Sequence, residues 1–219
     1  MLPSIALFLE YFGIVVFAIS GALSAGSKKL DVFGVIVVAL LAALGGGTLR
    51  DLLLDTQVIW IQKPSYLLTG ILAALVTFVL VRLLHISARL LAICDAIGLA
   101  FFTIGGIQKA LFLGFSPQIA LLMGLMTGVA GGILRDIVCN EIPLIFHREV
   151  YALPALTGGT LFLVLPEFGF SHNLAMLSGM SVILLLRLAG VLLGLSLPAF
   201  LYSDSPQAHH SNSSSDQPG

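Results

Sequence analysis

Two stretches of the sequence carry the same phrase, GGGTLRD at residues 45–51 and GGILRD at residues 131–136. Each joins consecutive glycines to an adjacent arginine and aspartate. Both lie in long apolar runs, where a charged side chain costs about 2.5–3.5 kcal/mol even on a lenient membrane-insertion scale. The charges therefore have to face protein or water, and their repetition indicates an internal duplication.

The composition places the chain in a membrane. Of its 219 residues, 58% are hydrophobic and 10% are charged, and the mean hydropathy is +1.07. Apolar stretches near the roughly 20 residues that cross a bilayer predict transmembrane helices. They are residues 4–25, 32–54, 65–85, 90–112, 117–139, 150–166 and 173–197. The sequence predicts an all-α integral membrane protein with seven transmembrane helices, and its net charge of −1 gives no basis for a nucleic-acid partner.

A shift of 85 residues superposes the two phrases and matches rare residue types around them. The matched pairs are Glu10 and Asp95, Gly13 and Gly98, Phe17 and Phe102, Gly21 and Gly106, Arg50 and Arg135, Asp51 and Asp136, Lys63 and Arg148, and Tyr66 and Tyr151. Each copy contains three predicted spans, an odd number, so the second copy enters the membrane from the opposite side. We predict two inverted repeats, residues 1–86 and 87–170, then a seventh helix at 171–198 and a disordered polar tail at 199–219.

The basic residues of the loops indicate an orientation. With the N-terminus outside, the cytoplasmic loops hold Lys28, Lys29, Arg82, Arg89 and Arg148, whereas the outer loops hold Lys63. By the positive-inside rule we predict a multi-pass inner (plasma) membrane protein with its N-terminus outside and its C-terminus cytoplasmic. Cys94 and Cys139 then lie near the cytoplasmic side, where a disulfide is not expected.

The glycines of the two phrases have two interpretations. Small residues let membrane helices approach closely. Consecutive glycines also lower helix propensity by about 1 kcal/mol each relative to alanine, and a break is tolerated where it faces protein or water. We favour a pore hinge, with broken helices at Gly45, Gly46 and Gly47 and at Gly131 and Gly132. Substitution at Gly46 or Gly131 is then expected to impair function before stability.

The charges of the two phrases also allow two functions. Arg50, Asp51, Arg135 and Asp136 either form structural ion pairs, more plausibly across the repeat interface than within each adjacent pair, or line a wet pathway that favours cations. The two interpretations are compatible. Glu10 and Asp95 stand at matched positions, either as mouth acids that attract cations or, as we favour, as partners of the arginines.

Three further polar residues are candidate pore-lining positions. Ser20 and Thr103 lie near small residues, although a hydroxyl in a membrane helix often bonds to its own backbone. Lys109 has no charged match in the first copy, where Ser24 stands. It either competes with a permeant ion, binds an acidic lipid head group or, as we favour, reaches the outer interface. Arg187, in the seventh predicted helix, is expected to contact a carboxylate or an assembly partner.

Two copies of a three-helix unit, each with GG(G)xLRD on its middle helix, followed by a seventh helix, resemble the prokaryotic TRIC (trimeric intracellular cation) channels. The same repeat is the glycine-transporter-like domain of bacterial inner-membrane proteins. The resemblance covers about residues 5–197. It implies a homotrimer in the lipid bilayer with one pore per subunit, kinked at the glycines of the second and fifth helices and permeable to potassium, sodium and other monovalent cations. We expect no cofactor, and two cysteines 45 residues apart give no metal site. Ala130 replaces the first glycine of the triplet in the second copy, so a milder break is expected there.

A secondary transporter of glycine or another small solute is the alternative. Its substrate carboxylate could meet an arginine and its amine an acid, and LRD contains both. An enzyme is not expected, because the sequence contains neither HExxH nor GxSxG.

Overall fold

The computed structural model describes residues 3–83, 88–146 and 151–193, and these ranges are almost entirely helical. The helices are α1 (Pro3–Ser27), α2 (Val32–Leu53), α3 (Ile59–Gln62), α4 (Ser65–Leu83), α5 (Ala88–Phe112), α6 (Pro117–Val138), α7 (Ala152–Val164) and α8 (His172–Leu193). Two 3-10 turns, Leu144–Phe146 and Leu165–Phe168, precede and follow α7. The predicted tail at 199–219 and the boundary between residues 86 and 87 lie outside the described residues.

Six of the helices, α1, α2, α4, α5, α6 and α8, are long and apolar enough to cross a membrane. They coincide with six of the seven predicted spans. The remaining prediction, 150–166, falls on α7, which has 13 residues. At a rise of about 1.5 Å per residue, α7 alone is shorter than the roughly 30 Å hydrocarbon layer. The prediction of an all-helical, multi-pass membrane protein is confirmed.

The helices that carry the two phrases end in the same way. The N–H groups of Leu54 and Cys139 bond to the carbonyl oxygens of Arg50 and Arg135, respectively. The next residues, Asp55 and Asn140, have φ angles of 51° and 53°. This left-handed conformation is most accessible to Asn, Asp and Gly. The same helix end therefore recurs at the spacing of 85 residues that relates the two sequences.

Helices α2 and α6 cross at their glycines. A Cβ atom built on Gly46 would overlap the carbonyl oxygen of Thr127, and one built on Gly131 would overlap that of Ala42. Only glycine permits this backbone approach, which brings the two LRD segments into one bundle. The packing interpretation of small residues therefore applies at Gly46 and Gly131.

The prediction of broken helices is wrong for this structure. α2 is helical without interruption through Gly45, Gly46 and Gly47, and α6 is helical through Gly131 and Gly132. The low helix propensity of glycine is outweighed here by tertiary packing, because each crossing glycine lets two helices contact without losing intrahelical hydrogen bonds.

Two hydrophobic cores flank this crossing. One contains residues of α1, α2 and α4, among them Phe17, Val35 and Val38. The other contains residues of α5, α6, α7 and α8, among them Leu99 and Ile104. Helix α1 packs against α5, so the two cores adjoin along these helices.

Candidate functional site

The first ion-pair site consists of Arg50, Asp51 and Lys109, and is called the Arg50 site. Both Arg50 Nε (2.8 Å) and Arg50 Nη2 (2.7 Å) contact the Oδ1 atom of Asp51. Lys109 Nζ, from α5, donates to the same oxygen at 2.7 Å. The other carboxylate oxygen, Oδ2, accepts a hydrogen bond of 3.1 Å from the N–H of Ile59. Two cationic side chains thus share one buried carboxylate.

The second site consists of Arg135, Asp136 and Asp95, and is called the Arg135 site. Arg135 Nε donates to Asp136 Oδ1 at 2.7 Å, and Arg135 Nη1 donates to Asp95 Oδ1 at 2.8 Å. Arg135 Nη1 also donates to Ser20 Oγ, on α1, at 2.5 Å. Asp136 Oδ2 accepts from the N–H of Leu144 at 3.0 Å. One fully buried guanidinium therefore holds two carboxylates.

The adjacent arginine and aspartate of each phrase pair with one another, whereas we favoured pairing across the repeat interface; of the four charges, Asp51 also pairs across it, with Lys109. Arg50 contacts Asp51 and Arg135 contacts Asp136 because their side chains turn toward each other at the helix end. The pairing across helices is added by α5. Asp95 of α5 meets an arginine, whereas Glu10 accepts a hydrogen bond from the hydroxyl of Tyr66.

Lys109 forms an ion pair with a carboxylate of another helix, a contact that the prediction of snorkelling to the outer interface did not include. Its ammonium group is bound to Asp51, and the side chain is 25% exposed. Without this cation the buried carboxylate would have one positive partner fewer, and an uncompensated buried charge is costly. No sequence signal near Lys109 identifies this partner, which lies 58 residues away.

The two hydroxyl candidates are both fully buried. Ser20 accepts from Arg135, and Thr103 packs where a Cβ on Gly128 would lie 2.5 Å from its Oγ1. Neither residue lines the cavity described next. Ser20 is therefore part of the Arg135 site, and Thr103 is part of the contact between α5 and α6.

A cavity of about 810 Å³ borders the Arg50 site. It lies among α1, α2, the α3 segment, the second half of α5 and the start of α8. Its polar lining residues are Glu10, Arg50, Thr56, Gln57, Gln62, Lys63, Tyr66, Gln108, Lys109 and His172. Gly47 and Gly105 form part of its wall, and a Cβ on Gly105 would meet nothing within 4 Å. The Arg50 site thus borders open space, whereas Arg135 is fully buried.

Two phenylalanines stack where the cavity ends. The ring centroids of Phe17, on α1, and Phe102, on α5, are 5.2 Å apart with an interplanar angle of 16°. Phe102 lines the cavity and Phe17 is fully buried behind it. Each ring packs over a glycine of the other helix, Phe17 at Gly98 and Phe102 at Gly13. Their match at a spacing of 85 residues was visible in the sequence, but their contact was not.

A cation beside a tyrosine completes the surroundings of the Arg135 site. Arg187, fully buried on α8, lies with its guanidinium carbon 4.5 Å from the ring centroid of Tyr151. The Tyr151 hydroxyl would be 3.0 Å from a Cβ on Gly132, and Asp95 Oδ1 would be 3.4 Å from it. The carboxylate or assembly contact expected of Arg187 stays a prediction, and its aromatic neighbour was not predicted from the sequence.

Comparison with known protein families gives one family, matched twice. The family model described as "Glycine transporter" matches residues 7–82 and again residues 92–167. The second match begins and ends 85 residues after the first. The family therefore repeats at the spacing seen in the two phrases.

Curated relatives cover most of the chain. A UPF0126 membrane protein of Vibrio cholerae is 43% identical over 199 residues, which are 90% of this chain and 83% of the relative. The UPF0126 inner membrane protein YadS of Escherichia coli is 39% identical over 90% of this chain and 97% of its own length.

Solved structures share the fold. A TRIC trimeric intracellular cation channel orthologue from Rhodobacter sphaeroides superposes with a TM-score of 0.84 at 38% identity, over 88% of this chain and all of the other. A second chain, solved to explain conductance through TRIC cation channels, gives a TM-score of 0.81 at 34% identity, over 94% of this chain and all of the other.

Proposed function

The chain belongs to the Glycine transporter family, in its prokaryotic TRIC branch, and from this premise we propose that it is a potassium-permeable channel for monovalent cations with one pathway in each subunit. Two solved structures that share its fold are named as TRIC cation channels. The pathway is formed where α1, α2 and α5 meet, between the two repeats. A duplicated fold with inverted halves is a common way to place a pathway at the repeat interface.

The cavity supports one mouth of this pathway. Its lining includes amide and hydroxyl side chains, whose oxygens can replace part of the hydration shell of potassium and sodium. Glu10 adds a carboxylate to the same lining. Arg50 and Lys109 are partly neutralised by Asp51, which limits their repulsion of a cation that enters the cavity.

The observation that carries the proposal is the chain of contacts below the cavity. Phe102 faces the cavity and stacks on Phe17, and one turn further along α1 Ser20 accepts from Arg135. The apolar ring pair is followed by the buried Arg135 site, and together they exclude hydrated ions from the centre of the bundle. Conduction therefore requires these contacts to separate.

The decisive experiment measures ion flux through the purified protein in liposomes. We expect potassium and sodium to move down a voltage in preference to chloride. Phe102→Ala should raise this flux several-fold because it removes half of the ring pair. Phe33→Ala is the matched control, since Phe33 is 73% exposed on α2 and should leave the flux unchanged. Absence of cation flux from both the wild-type protein and Phe102→Ala would reject the channel.

A glycine carrier is the second candidate, favoured by one observation. Glu10 and the Arg50 site line the same cavity and offer an acid and bases to a zwitterion. A carrier would exchange labelled glycine in saturable counterflow without discrete conductance steps. This result, obtained in the same liposomes, would replace the channel proposal.

We propose an inverted topology in the inner membrane and assembly as a homotrimer. The cavity end of the bundle faces outward, with both termini placed as the basic loops predict. Cysteines introduced at Thr56 and Ser116 should react with an impermeant reagent from outside, and one at Ser27 from inside. Crosslinking in native membranes should stop at three subunits. Labelling of positions 56 and 116 from opposite faces would contradict the topology, and a monomer or dimer would contradict the assembly.

A further inference from the structure

The two arginines have different oxygen partners. Arg135 donates from Nη1 to Ser20 Oγ and Asp95 Oδ1, which belong to two other helices. Within the described ranges, the side-chain hydrogen bonds and ion pairs of Arg50 all go to Asp51, its own neighbour. The face of the Arg50 guanidinium that corresponds to Nη1 of Arg135 is therefore turned toward the cavity that Arg50 lines.

The sequence explains this difference at a spacing of 85 residues. Gly105 stands where the other site has Ser20, and Glu10 stands where it has Asp95. A Cβ on Gly105 would meet nothing within 4 Å, and Glu10 accepts from Tyr66. Among the described residues, Glu10 is bonded to Tyr66 and Gly105 has no side chain, so neither counterpart supplies an acceptor to Arg50.

Lys109 brings additional donors to the same space. Its ammonium group has three N–H donors, and the described contact uses one, to Asp51 Oδ1. Asp51 Oδ2 is taken by the N–H of Ile59, so this carboxylate has little capacity left for the remaining donors. Arg50 and Lys109 together carry two positive charges against the single negative charge of Asp51.

We propose that the cavity contains a binding site for a small oxyanion, a carboxylate or a phosphate, held by Arg50 and Lys109 above Gly105. Its oxygens take the places that Ser20 Oγ and Asp95 Oδ1 occupy in the Arg135 site. A planar guanidinium binds such anions through two parallel hydrogen bonds, and the ammonium group adds a point charge. The cavity of about 810 Å³ accommodates either anion. This site does not depend on the proposed channel activity.

Trp60 provides a direct readout of binding. It is the only tryptophan of the chain, its Nε1 donates to Thr48 Oγ1, and it follows Ile59, which lines the cavity. We expect saturable changes in Trp60 fluorescence when purified protein in a neutral detergent is titrated with phosphate or acetate. Sodium chloride at the same ionic strength is the reference titration. A parallel titration with short-chain phosphatidylglycerol distinguishes a lipid head group from a free anion as the source of the phosphate.

Two matched variants test the position of the site. Gly105→Ser places a hydroxyl where Ser20 lies in the other site and should weaken anion binding by about tenfold or more, the effect of replacing one good hydrogen-bonding contact. Gly26→Ser makes the same change at another helical glycine with nothing within 4 Å, away from the cavity, and should leave binding unchanged.

A third variant tests the charge. Lys109→Gln should also weaken anion binding. An unchanged thermal midpoint of Gly105→Ser would show that this variant is folded and that its weaker binding is not caused by unfolding. The proposal is overturned if neither anion gives a saturable signal beyond that of chloride. It is also overturned if Gly105→Ser binds as tightly as Gly26→Ser.

Discussion

The two ion-pair sites are built on the same phrase but share their charges in opposite ways. In the Arg50 site two bases meet at one carboxylate oxygen, whereas in the Arg135 site two carboxylates meet at one guanidinium. The third partner comes from α5 in both cases, Lys109 near its end and Asp95 near its start. The repeated motif therefore determines the contact between its own arginine and aspartate. The net charge of each site is determined by the residue that α5 adds.

The surroundings of the sites differ in the same sense. Arg135 is fully buried, whereas the Arg50 site borders the cavity, where water can hydrate its charges. In each site, the residue that binds the two others is therefore the one whose loss should lower stability most. The size of this loss depends on whether water can hydrate the charges that remain.

The largest expected effect is on Arg135. Arg135→Met leaves Asp95 and Asp136 buried without their shared cation and should destabilise the protein by about 3–5 kcal/mol. Arg50→Met leaves Asp51 paired with Lys109 and should lose only roughly 1.5–3 kcal/mol. Unfolding of the detergent-solubilised proteins, followed by circular dichroism, measures both. Equal losses of stability in the two variants would contradict the view that two bases share a carboxylate in one site and two carboxylates share a guanidinium in the other.

The second effect reverses the roles of acid and base. Asp51→Asn leaves two cations without their shared carboxylate, whereas Asp136→Asn leaves Arg135 bound to Asp95. We expect the free energy of unfolding to fall by about 2–3 kcal/mol in the first variant and by about 1 kcal/mol in the second. A buried charge that loses its shared partner is destabilised more than one that still has another partner of opposite charge. The same unfolding assay applies. A larger loss for Asp136→Asn would contradict the proposed sharing.

The third effect concerns the crossing of α2 and α6, where the two halves are alike. Gly46→Ala and Gly131→Ala each press a methyl group against a backbone carbonyl and should each lose about 1–3 kcal/mol. Gly47→Ala is the control, because its Cβ would lie 3.8 Å from Arg50 Nη2, an ordinary contact. Thermal stability should fall before ion flux does. Normal melting with altered flux would restore the hinge hypothesis.

The smallest effect lies at the matched positions Ser20 and Gly105. Ser20→Ala removes one acceptor of Arg135 and should lose about 1 kcal/mol. Gly105→Ala enters open space in a helix and should gain about 0.5–1 kcal/mol from helix propensity. A lower melting temperature for Ser20→Ala and a higher one for Gly105→Ala would support the difference between the two sites. Shifts of the same sign would indicate that the two positions are equivalent.

Much of the fold could be predicted because its signals are local. Apolar length gave six spans within a few residues, and the spacing of 85 residues matched the two LRD segments. The pairing of Arg135 with Asp95 follows from the high energy of an isolated charge in a membrane. The partner of Lys109 could not be predicted, because a single lysine near the end of an apolar helix is compatible with the interface and with the interior.

The glycines show where prediction from sequence stops. Consecutive glycines indicate either a break or a close contact, and the choice depends on whether a second backbone lies against them. At Gly46 and Gly131 that backbone is supplied by the opposite helix. The Phe17 and Phe102 contact has the same origin, since each ring needs a glycine on the other helix.

The sequence by itself determined that the chain is a bundle of membrane helices, duplicated, with its LRD charges turned inward. Hydrophobic length, periodic repetition and the energy of burying a charge act on neighbouring residues or on every residue of a type. Only the tertiary structure decided which charges share a partner, which glycines are crossing points and which site borders a cavity. These outcomes depend on contacts between residues far apart in the chain, such as Lys109 with Asp51 and Arg135 with Ser20, where one side chain or its absence closes or opens the space beside an arginine.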